Sequence, residues 1–188
     1  MIGGASHMNI LFLSAQALGI VRLLLAIYTM QRKQMENIIV LECTTNLLAA
    51  VERALLGSLV GSTVCFVAIA HTILIYLFRK KEQGLPVLLS MLFVSLYTAI
   101  PLLTNQGVEG ILTLIASVLF AMGIIQERSS AFRLFKLPSV LMWLIYDVII
   151  GAYASIFTDG LAVSSAIVGI VRLDREDWKS AFAKLRKQ

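Results

Sequence analysis

Residues 139–159 read SVLMWLIYDVIIGAYASIFTD, an almost unbroken apolar run with Asp147 near its middle and Trp143 and Tyr146 just before it. About 20 such residues in a helix cross the roughly 30 Å hydrocarbon core of a bilayer. A carboxylate at that depth costs roughly 2.5–3.5 kcal/mol even on lenient insertion scales, unless it faces a cavity or a partner. The stretch therefore reads as a membrane helix with a functional acid.

The rest of the chain has the same character. Of 188 residues, 59% are hydrophobic and only 14% charged, where a soluble domain carries about 25% charged residues. Apolar runs fill nearly the whole length, so a single polytopic helical bundle is expected, with no separate soluble domain. The net charge of +5 sits in short clusters between apolar runs and not on an aromatic-interleaved face, which excludes nucleic acid as a partner. Cys43 and Cys65 lie inside apolar segments without metal-ligand or CxxC spacing, and no metal or cofactor is expected. The opening MIGGASHM resembles a cloning junction, which would put the native start at Met8; residues 1–8 are expected to be a tag remnant or disordered. The first apolar run has no basic segment before it and continues past Arg22, so it does not read as a cleaved signal peptide.

Seven spans fit, at about 9–30, 38–60, 62–78, 85–104, 110–126, 138–157 and 160–173. Short loops rich in Lys and Arg stay cytoplasmic. Alternate connections collect Arg32 and Lys33, then Arg79 to Lys81, then Arg128, Arg133 and Lys136, and finally the basic tail. The other connections carry Glu109 and Asp159 and no base, and only Arg22 and Arg53 fall within spans. This partition predicts an outside N-terminus and a cytoplasmic C-terminus. The tail, 174–188, spaces Trp178, Ala181, Phe182 and Leu185 helically among basic residues, as an amphipathic helix on the membrane surface would.

Sliding the chain by 94 residues sets Leu47 on Leu141, Arg53 on Asp147, Gly57 on Gly151 and Ala68 on Ala162. A three-helix repeat over 9–80, a linker helix over 81–106 and a second repeat over 107–173 follow. An odd linker span gives the two triplets the same orientation, a parallel arrangement that transporters use with the site between the repeats.

Glu42, Asn46, Ala49, Arg53 and Gly57 fall on one face of the second span, and Trp143, Asp147, Gly151 and Ala154 on one face of the sixth. Both stripes would look toward the axis between the triplets. Asp147, Trp143, Tyr146, Asn46 and Arg53 are the candidate lining of a substrate path: a carboxylate to fix hydroxyls or an amine, and rings to stack on a solute. Arg53 and Asp147 equally make a structural ion pair that fixes packing. Arg22 competes as partner for Asp147 or Glu42. Glu42, near the cytoplasmic interface, reads as a gate or as a surface partner of Lys33. His71, alone on an apolar helix, reads more readily as a hydrogen-bonded packing residue than as a proton relay. No HExxH, GxSxG, phosphate-cradling glycine loop or carboxylate pair at common depth occurs, so catalysis is not expected.

The stretch WLIYDVIIGAYASIFTDGLAVSSAIVGIVRLD, with ALLGSLVGS earlier in the chain, resembles the YgjV-type family of bacterial inner-membrane proteins, related in architecture to the SWEET and PQ-loop transporters. The resemblance spans most of 9–175 and is most specific in 140–174. It implies a three-one-three helix arrangement and passive movement of sugars, amino acids or vitamins through a central pathway. The chain departs from the PQ-loop pattern in having no Pro-Gln pair; its prolines are Pro86, Pro101 and Pro138.

The sequence thus predicts an all-α, seven-helix inner-membrane protein, a facilitator or transporter of a small polar solute. The alternative is a non-transporting scaffold or partner subunit. The lipid bilayer and a small polar solute are the expected partners, with self-association left open.

Overall fold

A computed structural model describes residues 3–104 and 107–174, with side-chain surroundings from residue 11 onward. Among these residues there are seven α-helices and no strand: α1 Gly3–Met30, α2 Met35–Leu55, α3 Leu59–Lys80, α4 Val87–Thr104, α5 Gly107–Ile124, α6 Ser129–Ile149 and α7 Tyr153–Leu173. In lipid, every backbone group must find its partner within the protein, and a helix does this within one segment. Hydroxyls follow the same economy. Thr29, Thr45, Thr72 and Thr158 each donate to the carbonyl four residues back, so they enter apolar surroundings already satisfied.

Five helices are long and apolar enough to cross a membrane, over Leu11–Met30, Leu59–Lys80, Val87–Thr104, Gly107–Ile124 and Tyr153–Leu173. The other two, α2 and α6, carry Glu42, Glu52, Arg53, Arg133 and Asp147 on their buried sides. Their polarity faces inward, where the apolar helices shield it.

The expected spans 38–60 and 138–157 do not exist as continuous helices. The first ends at Leu55 and the second runs from Ser129 to Ile149. Glycine at positive φ stops each, Gly57 at 82° and Gly151 at 70°, a conformation that costs an L-residue roughly 1–2 kcal/mol. The two turns are built alike. Gly57 N–H donates to Ala54 and Ser58 N–H to Arg53, while Gly151 N–H donates to Val148 and Ala152 N–H to Asp147. Each is a Schellman cap that closes two orphan carbonyls. Position 139–159 is therefore a helix end, a turn and the first turns of α7. The start of α6 also differs from expectation, since Arg133 and Lys136 lie inside the helix and not in a loop, and Pro138 falls in its interior and not at its first residue.

Neighbouring helices form a closed sequence: α1 packs on α2, α2 on α3, α3 on α5, α5 on α6, α6 on α7, and α7 on α1. Helix α4 leans on α3 and α5 from outside and buries only Phe93, Tyr97 and Pro101. The apolar core gathers Met30, Ile38, Val64, Phe93, Phe120 and Phe132. At one end of the bundle two arginines close helix C-termini. Arg133 on α6 donates to the carbonyls of Met30 and Arg32, and Arg79 on α3 donates to those of Ile125 and Gln126. A cation suits the negative end of a helix. Arg133 also pairs with Asp174; both are buried. The expected tail helix over residues 175–188 lies outside the described residues.

Candidate functional site

Two ion pairs join α2 to α6. Arg53 Nη2 lies 3.5 Å from Asp147 Oδ1, and Lys136 Nζ lies 2.6 Å from Glu42 Oε2. Each pair is separated by 94 positions in the chain. Along each helix the two charged residues are eleven positions apart, about 16 Å at 1.5 Å per residue. The charges alternate, acid then base on α2 and base then acid on α6.

Between the two layers lies a cavity of about 60 Å³, lined by Asn46, Ala49, Arg53, Ser117, Lys136 and Trp143 among others. With charged groups set in a largely apolar lining, a space of this size holds a few waters and no sugar or amino acid. Glu42 and Lys136 of one pair and Arg53 of the other contribute to its wall.

The arginine layer is elaborately held. The Arg53 guanidinium lies 4.0 Å from the centroid of Trp143, and its Nη1 is 3.1 Å from Cys65 Sγ. Trp143 meets Tyr146 edge-on at 5.3 Å, and the Tyr146 hydroxyl is hydrogen-bonded to Ser58 Oγ at 2.5 Å. Gly61 makes this approach feasible, because a Cβ there would stand 2.8 Å from Arg53 Cδ and 3.0 Å from Tyr146 Oη. Asp147 Oδ2 and Arg53 Nε have no hydrogen-bond partner.

A second group adjoins the first. Arg22 Nε is 3.1 Å from Glu52 Oε2 and its Nη1 is 3.4 Å from Asp159 Oδ1. The Arg22–Glu52 contact is an ion pair without hydrogen-bond alignment, since both atoms lack a partner of hydrogen-bond geometry. Ser155 on α7 donates to Glu52 Oε1. Gln16 on α1 accepts from the Ala154 N–H at 3.0 Å, closing one of the donors that a helix N-terminus leaves open.

Of the residues marked in the sequence, Arg53, Asn46 and Trp143 line the cavity together with Arg22 and Glu42. Asp147 and Tyr146 reach it through Arg53. Asn46 donates to the Glu42 carbonyl at 2.9 Å. Arg22 pairs with neither Asp147 nor Glu42, because Glu52 and Asp159 are nearer partners. Glu42 is not a surface partner of Lys33; it is 1% exposed and held by Lys136. His71 is remote from these pairs. It stacks on Phe93 at 4.4 Å, with Nδ1 3.4 Å from the Tyr97 hydroxyl. Sequence reading missed Lys136, Asp159 and Ser155 by assigning them to loops or to packing. The slide that sets Arg53 on Asp147 also sets Glu42 on Lys136.

Comparison with curated proteins and with solved structures finds no match in either. The family model Imp-YgjV, described as bacterial inner membrane protein, matches residues 13–177. That range takes in α2 to α7, most of α1 and every residue of the two charged layers, so the chain belongs to the Imp-YgjV family of bacterial inner membrane proteins.

Proposed function

We propose that the protein is a facilitator or carrier of a small polar solute, built as two three-helix repeats around a linker helix and akin in architecture to the SWEET and PQ-loop transporters. The observation that carries this reading is the cavity beside two ion-pair layers whose Arg53, Glu42 and Lys136 enter its lining, each layer joining a residue to its counterpart 94 positions on. The helix neighbours support the repeat, since α1–α2–α3 pairs in the same order as α5–α6–α7, and the α1–α7 contact has its counterpart in α5–α3. The matching Schellman turns at Gly57 and Gly151 support it too.

In this reading the cavity is an occluded form. Separating Glu42 from Lys136 opens one side, and separating Arg53 from Asp147 opens the other. Separating a buried pair leaves uncompensated charges in a low dielectric, whereas solvated charges part at little cost, so water entering one layer lets it open while the dry layer stays shut. Arg53 and Trp143 present a cation and a ring face to the solute, and Asn46 an amide. The basic loops favour an outside N-terminus and a cytoplasmic C-terminus, which puts the Glu42–Lys136 layer on the cytoplasmic side. The lining groups are tied up in pairs, which suits passage better than catalysis.

The test is thermal stability in detergent across sugars, amino acids, vitamins and amines, with Asn46→Leu beside the wild type. Asn46 bonds only the carbonyl of its own helix turn, so its loss strands no charge. A ligand that binds the folded state raises the melting temperature by mass action. One compound class should stabilise wild type and not Asn46→Leu. If no class does, the second reading gains: the small cavity and closed pairs then belong to a scaffold subunit whose charges serve packing alone.

A further inference from the structure

The group around Arg22 and Arg53 does not balance. Its buried members are two guanidiniums, Arg22 and Arg53, and three carboxyls, Glu52, Asp147 and Asp159, each no more than 5% exposed. Other groups facing it bring no compensating charge: Cys65 on α3, Tyr146 on α6 and Ser155 on α7 are neutral side chains, and Lys136 is already engaged with Glu42. His71, stacked among aromatics on α3, has no carboxylate in reach. Helix ends cancel as well, because α2 and α6 finish near this layer where α3 and α7 begin. One negative charge is left over among buried groups, and burying an uncompensated carboxylate costs several kcal/mol or more.

Geometry identifies the surplus acid. Glu52 has Ser155 on one oxygen and Arg22 at 3.1 Å on the other. Asp147 has Arg53 at 3.5 Å and, like Asp159, a buried Oδ2 without a partner, but it does not line the cavity, so no ion can reach it from there. Asp159 shares Arg22 with Glu52 at the longer distance of 3.4 Å, its Oδ2 is buried with no partner, and it lines the cavity together with Arg22 and Arg53. We propose that Asp159 is the binding site for one exchangeable positive charge, a proton or a small monovalent cation, that enters from the cavity and neutralises the cluster. With a proton, the carboxylate becomes a carboxylic acid whose O–H forms at Oδ2, and nothing else changes. The same site would couple solute passage to that ion, although the charge count holds whether or not the protein transports.

The experiment uses the purified full chain in detergent, in choline chloride, sodium chloride or potassium chloride, from roughly pH 5 to pH 9. Infrared spectroscopy reads protonated carboxyls, and melting temperature reads stability. If the occupant is a proton, wild type shows a carboxylic C=O band at neutral pH in choline chloride, and Asp159→Asn lacks it. If the occupant is a metal cation, the band is absent, and sodium or potassium raises the wild-type melting temperature over choline, an effect lost in Asp159→Asn. The proposal is overturned if wild type shows neither band nor ion-specific stabilisation, or if either persists in Asp159→Asn. It is also overturned if the effects vanish in Asp147→Asn but not in Asp159→Asn. Should Asp159→Asn fail to fold, Asp159→Glu takes its place: it keeps the carboxyl, and a band or salt effect identical to wild type in position and size overturns the assignment to residue 159. No solute is needed, so the outcome is independent of the facilitator reading.

Discussion

Glu42 and Lys136 stand 2.6 Å apart on α2 and α6, separated by the same 94 positions as Arg53 and Asp147. Glu42 is buried while Lys136 keeps partial exposure, 14% of its side chain. Lys136→Met should leave an unpaired buried carboxylate and lower stability by about 3–5 kcal/mol, and Glu42→Gln with Lys136→Met together should recover most of the loss. Denaturation in detergent of the two single variants and the double variant measures the coupling.

The Arg53–Asp147 layer gives the same test a sharper form. Asp147→Asn strands a guanidinium that is 3% exposed, with an expected cost of about 3–5 kcal/mol. Trp143→Ala removes a ring 4.0 Å from that guanidinium and should cost about 3–5 kcal/mol through lost packing and cation–π contact. If Asp147→Asn instead melts with wild type, the pair contributes nothing to the fold.

The two positive-φ glycines should respond alike. Gly57→Ala and Gly151→Ala have open space around the new Cβ, so the expected loss of about 1–2 kcal/mol comes from the backbone alone. Gly84→Ala, also unobstructed and without positive φ, serves as the neutral control. Gly61→Ala should be worse than any of these, because its Cβ would meet Arg53 and Tyr146 within 3.0 Å.

Arg133 and Arg79 perform one task at different depths. Arg133→Ala removes the partner of buried Asp174 and the donors to α1, and about 3–5 kcal/mol should be lost. Arg79→Ala, at a half-buried site with carbonyl partners only, should cost about 1 kcal/mol. Equal losses from the two substitutions would contradict the assigned difference.

The helices were legible because lipid leaves few alternatives: apolar runs of bilayer length have to be helices. The breaks at Gly57 and Gly151 were not, since glycine within an apolar run reads as a close-packing device and nothing local marks its φ. Charges near span ends misled for a related reason. Arg133, Lys136 and Asp159 read as loop residues by composition, yet each meets an opposite charge more than 40 positions away. Local windows cannot see such partners. The offset of 94 can, and it sets Arg53 opposite Asp147 from sequence alone.

The alternation of charge across the two layers has a consequence for self-recognition. On the proposed repeat, two copies of the first half associating about a true twofold axis would set Glu42 against Glu42 and Arg53 against Arg53. Two copies of the second half would oppose Lys136 with Lys136 and Asp147 with Asp147. Like charges brought together in a dry interface cost several kcal/mol, whereas the mixed assembly matches every charge with its opposite. Halves severed within α4 and produced separately should therefore find each other and refuse themselves, as an obligate heterodimer does.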